Sequence, residues 1–126
     1  MRLCGEEDRH TLISANNYAD SLVSLTRFEE AKSVLREVIP VARRVLGESH
    51  EMTLRMRWVY AEALRRDVGT TLDDLREAVT TLEDMERTAR RVLGGTHPIT
   101  TGIEDNLRCS RAALRARETP SPPGSA

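Results

Sequence analysis

The hexapeptide Ala42-Arg43-Arg44-Val45-Leu46-Gly47 returns unchanged as Ala89-Arg90-Arg91-Val92-Leu93-Gly94. An identity of this length in a chain of 126 residues marks an internal repeat and fixes its phase. The match continues downstream, where Gly47 opens GESHEMT and Gly94 opens GGTHPIT, both of the form Gly-x-x-His-x-x-Thr. A third copy, GEEDRHTL from Gly5, sets Asp8 at the histidine position and Thr11 at the threonine position. The glycines stand 42 and 47 residues apart, and the five additional residues fall near the turn-like DVGTTLDD, Asp67 to Asp74. A period of this length without β-branched blocks implies stacked helical hairpins.

Composition agrees. The chain is 39% hydrophobic and 31% charged but only 3% aromatic, the balance of helices packed through aliphatic side chains. A formal net charge of −1 argues against nucleic acid or an anionic membrane as partner. No apolar run reaches the roughly 20 residues of a membrane span, and MRLCGEEDRH has no apolar leader core, so a cytoplasmic setting is expected. Cys4 and Cys109 lack Cys-x-x-Cys spacing and read as free thiols, with one bridge between them as the lesser alternative.

Apolar spacing divides each unit into two helices. The first spans about Arg9 to Thr26, with Leu12, Ala15, Ala19, Leu22 and Leu25 on one stripe and Asp8 as N-cap. The second runs from Phe28 to Leu46 and contains Pro40, which removes a backbone donor and predicts a kink. Glu51 to Arg66 forms the third, stopped near Gly69. Thr71 and Asp74 form a capping box for a fourth, Leu72 to Leu93. A fifth spans Pro98 to Arg117, with His97 as its N-cap. The expected fold is therefore all-α, a helical-hairpin solenoid of about two and a half repeats. Its units are 8–47, 50–94 and 97–117 within a 1–117 domain, followed by a disordered tail, 118–126. The opening RLCG aligns with RVLG, the end of a second helix whose beginning is missing, as in a segment of a longer array.

The units resemble tetratricopeptide repeats, specifically the 42-residue kind of kinesin light chains. LGESHEMTL and LGGTHPITT are similar to that family's Leu-Gly-x-x-His-Pro-x-Thr-Leu linker. SANNYADSL is similar to its Asn-Asn-Leu-Ala-x-x-Leu helix, and RFEEAKSVLREV to the helix that follows. Unit two departs with Trp58-Val59 in place of Asn-Asn. Unit three departs with Arg108 and Arg111, which suit a solvated end helix. No heptad coiled coil is present, so the likeness does not extend to a motor subunit.

The resemblance implies a fold whose first helices line a concave groove that binds a peptide or partner segment, with no cofactor and no enzymatic activity. Carried over by position, the groove residues in unit one are Asn16, Asn17, Asp20 and Val23. In unit two they are Arg55, Trp58, Glu62 and Arg65, and in unit three Asp105 and Cys109. A monomer is expected. The alternative is a spacer within a longer array, with no ligand of its own.

Sharper chemistry is not supported by the sequence. The Gly-x-x-His loops of successive units stand about 10 Å apart, too far for one zinc ion with ligands at about 2 Å. Asp8 in the first copy points to helix capping instead. No nucleophile–base pair or phosphate loop occurs, and the arginine pairs sit at helix C-termini, where they offset the dipole. Trp58 reads equally as a groove anchor or as packing.

Overall fold

The computed structural model describes residues 6–118. Five helices follow one another: α1 (Glu6–Ser24), α2 (Phe28–Val45), α3 (Glu51–Arg66), α4 (Leu72–Val92) and α5 (Pro98–Glu118). No strand occurs among the described residues, and none of the helices is long and apolar enough to cross a membrane. Cys4 and the segment 119–126 lie outside the described residues. Because α1 begins at Glu6, Asp8 stands in its first turn rather than in front of it.

The repeated loops are alike in atomic detail. Gly47 and Gly94 adopt φ +100° and +95°, a left-handed conformation in which each N–H donates to carbonyls of its own helix end. Gly47 N reaches Ala42 O and Arg43 O at 3.2 and 3.1 Å, and Gly94 N reaches Ala89 O and Arg90 O at 3.2 Å. Three residues on, the histidines cap the next helix. His50 Nδ1 accepts from Met52 N at 3.0 Å, and His97 Nδ1 accepts from Ile99 N at 3.1 Å. The Thr71–Asp74 capping box forms in both directions.

Each helix packs against the next along the chain, within and between hairpins, and the first helices of successive units also touch. α1 touches α3 and α3 touches α5, whereas α2 and α4 do not meet. Close inner helices and splayed outer ones curve the stack, with α1, α3 and α5 on the inner side. The buried residues fall into two apolar clusters. One is centred on Leu12, Leu22, Leu35 and Met56, the other on Leu54, Leu82, Met85 and Ile103. α3 contributes to both, which is why it buries residues on two faces.

Three features depart from the sequence expectation. Leu25 is 63% exposed, because α1 ends at Ser24 and the chain turns at Thr26 with φ +60°. The five extra residues of unit two are not confined to a loop. The turn Asp67–Thr71 is two residues longer than Leu25–Arg27, and α4, at 21 residues, exceeds the 18 of α2 by almost one helical turn. α2 is continuous through Pro40, which lies on its exposed side.

Candidate functional site

Between α1 and α3, on the inner side, lies a cleft of about 370 Å³ lined by Asn16, Asn17, Asp20, Glu51, Met52, Arg55, Trp58, Val59 and Glu62. Six of these are among the residues singled out by repeat position: Asn16, Asn17, Asp20, Arg55, Trp58 and Glu62. Their convergence follows from helix geometry. Asn16 and Asp20 are one turn apart on α1, as Trp58 and Glu62 are on α3, and the two helices are in register by one repeat.

Asn16 occupies the apolar stripe of α1, one turn beyond Leu12 and one turn before Ala19, so only 4% of it is exposed. Its Oδ1 accepts no hydrogen bond from the protein. A buried amide oxygen left without a donor costs about 1–3 kcal/mol, and such atoms require an explanation. Unit three holds a buried amide in the opposite condition. Asn106 Oδ1 accepts from Arg65 Nε at 3.1 Å and from Ser110 Oγ at 3.3 Å, while its Nδ2 donates to the Trp58 carbonyl at 3.5 Å. One amide is satisfied within the fold, and the other borders the cleft with its oxygen enclosed and without a donor.

Trp58 is half-buried. Its indole packs against α5, where Gly102 supplies the room, and it also borders the cleft. Charge is mixed across the site. Glu62 pairs with Arg66 at 3.0 Å, and Glu51 Oε1 lies 3.1 Å from His97 Nε2. Asp20 and Arg55 are exposed, and neither forms an ion pair with another described side chain.

Four expected groove residues lie elsewhere. Val23 is 3% exposed and packed in the first apolar cluster, because it continues the stripe of Ala19 and Leu22 onto α2. Arg65 is held by Asn106. Asp105 is exposed and pairs with Arg108 on its own helix, and Cys109 is an exposed free thiol on α5. Position in the repeat also missed Glu51, Met52 and Val59, which border the cleft, and Asn106, which matches Asn17 rather than Asn16. The Asp105-Asn106 dipeptide displaces the amide by one residue, and a search for asparagines alone would have found it.

Arg108 and Arg111 of α5 are both exposed, Arg108 paired with Asp105 on its own helix and Arg111 with Glu83 of α4 at 2.8 Å. Among the described residues no group of three or more His, Cys, Asp or Glu side chains is placed to hold a metal ion. Among the described residues the one cationic group with a lowered pKa is Arg57, depressed first by burial and then by the nearby Arg43, on the outer side of α3 away from the cleft.

These features are those of a helical-hairpin repeat. A family model described as tetratricopeptide repeat matches residues 11–51. This match supports a tetratricopeptide repeat over those residues. The match spans most of α1, all of α2 and the His50 cap that opens α3. Tetratricopeptide repeats are in general protein–protein interaction modules and not enzymes. Searches of curated proteins and of solved structures returned no match.

Proposed function

We propose that the cleft between α1 and α3 binds an extended segment of a partner protein, and that the chain works as an interaction module without chemistry of its own. The observation that supports this most is the cleft itself, which the amide-bearing Asn16 and Asn17 and the half-buried indole of Trp58 border together between α1 and α3. An extended segment offers backbone N–H donors at every residue, and its apolar side chains find an anchor on the indole face. Mixed charge around these groups supplies register more than energy. The repeat itself is proposed to be of the 42-residue kind seen in kinesin light chains, on the strength of the 42-residue spacing of Gly5 and Gly47 and the shared linker.

The test is selection of displayed random peptides on the purified chain, followed by rebinding to an Asn16→Ala/Trp58→Ala variant of unchanged helicity. Enriched peptides that no longer bind the variant are the expected result. Enrichment that survives both substitutions would place recognition elsewhere, and failure to enrich any sequence would favour a spacer role.

A further inference from the structure

Charge is distributed unevenly along the cleft. Asp20 of α1 and Glu62 of α3 occupy the same repeat position and border the same space from its two walls. Arg55 borders it seven residues before Glu62 on α3, about 10 Å away along the helix axis. Asn16 and Trp58 stand at the level between these two charged ends. The remaining charge, Glu51, is engaged by His97 Nε2 at 3.1 Å.

Asp20 and Arg55 have no ionic partner among the described residues, and Glu62 has only the exposed same-helix contact with Arg66. Such a contact is weak and readily exchanged. Two carboxylates facing each other across a cleft favour a cation between them, and a guanidinium left without a carboxylate favours an anion. An extended segment of polyproline II geometry advances about 3.1 Å per residue and returns to the same face every third residue, so a span of about 10 Å corresponds to three residues.

Resting on the peptide-binding role proposed above, we infer that the segment bound here carries one acidic and one basic side chain three residues apart. The acid meets Arg55, and the base lies between Asp20 and Glu62. Uniformly basic segments meet repulsion at Arg55, and uniformly acidic ones meet it at Asp20 and Glu62, so the cleft discriminates by exclusion as well as attraction.

Trp58 is the only tryptophan in the chain, and its emission reports occupancy of the cleft directly. The probes are acetylated, amidated nonapeptide pools without tryptophan, each with a fixed central pattern: Glu-x-x-Lys, Lys-x-x-Glu, Lys-x-x-Lys, Glu-x-x-Glu or Gln-x-x-Gln. One of the two mixed-charge pools is expected to bind about fivefold to tenfold more tightly than every other pool, with the advantage shrinking at high salt. Which of the two wins gives the direction in which the segment runs. Asp20→Asn combined with Glu62→Gln is expected to bring the ratio of mixed-charge to glutamine pools towards one. Equal binding by all pools, or tighter binding by a like-charged pool, overturns the charge pattern while leaving the groove role standing. No emission change with any pool overturns both.

Discussion

The indole of Trp58 lies so close to the backbone of Gly102 that a Cβ at position 102 would come within 2.4 Å of its Cζ2. This contact joins unit two to unit three and sets the wall of the cleft at the same time. Gly102 lies inside α5, where glycine costs about 1 kcal/mol relative to alanine, so the fold gives up helix propensity to seat the ring.

Gly102→Ala should therefore fail to stabilise the protein despite the better helix former. Forcing the indole outward costs about 1–3 kcal/mol, which exceeds the propensity gain. The midpoint of urea unfolding is expected to fall and Trp58 emission in the native state to shift red. A higher midpoint with unchanged emission would contradict the contact.

Gly47 and Gly94 test the repeat punctuation. A Cβ at either would meet nothing within 4 Å, so only the left-handed backbone resists substitution. Gly47→Ala and Gly94→Ala should each cost about 1–2 kcal/mol in denaturant unfolding. The opposite is expected at Thr26, a β-branched residue held at φ +60°. Thr26→Asn should stabilise by about 0.5–1 kcal/mol, since asparagine tolerates this region. A loss at Thr26 or neutrality at the glycines would show that these turns adopt another conformation.

Lys32 and Asp67 tie α2 to the α3–α4 turn at 2.9 Å, both with largely buried side chains. The Gly69 N–H and then the Lys32 ammonium hold the Asp67 carboxyl below its ordinary pKa. Burial opposes the charge on Lys32, but its bonds to Glu29 and Asp67 outweigh this and raise its pKa. The Asp67 contribution is thus complete above the unfolded carboxyl pKa of about 3.9 and is lost as pH falls through its depressed folded value. That of Lys32 is complete below about 10.4 and is lost as pH rises through its raised value. Asp67→Asn should lower stability at pH 7 and lose less on acidification to pH 3 than the parent. Parallel acid limbs would show that the pair contributes nothing.

Asn16→Ala separates stability from recognition. Removing a buried acceptor without a donor and adding a better helix former should raise stability by about 1 kcal/mol. The same change should weaken binding of any selected peptide, the pattern of a residue retained for function. A variant that is less stable and binds normally would make Asn16 a structural residue.

Much of this was legible in the sequence because the repeat is punctuated chemically. Gly47, Gly94, His50, His97 and Thr71 each terminate or cap a helix by local hydrogen bonds, and local bonds are encoded locally. α3 runs over Glu51–Arg66, as its pattern requires. Boundaries set by turns were less visible: Leu25 belongs to the turn rather than to α1 because Thr26 bends the chain. Val23 was misplaced because the repeat position gives a face only approximately, and here one further turn of α1 is swallowed by α2. The pairing of Trp58 with Gly102 and of Arg65 with Asn106 lies across unit boundaries, where neither residue announces its partner. The cleft was half-legible for the same reason: position in the repeat identified its walls, but not which amide the fold leaves unsatisfied.

The most direct test of the central proposal is a nitrogen-15 chemical-shift titration of the whole chain with a selected peptide. The expected result is a contiguous set of perturbed amides at Asn16, Asn17, Asp20, Arg55, Trp58 and Glu62, with the Asn16 side-chain amide among the largest shifts. Perturbations gathered instead around Arg36, Pro40 and Tyr60 on the outer side would contradict it.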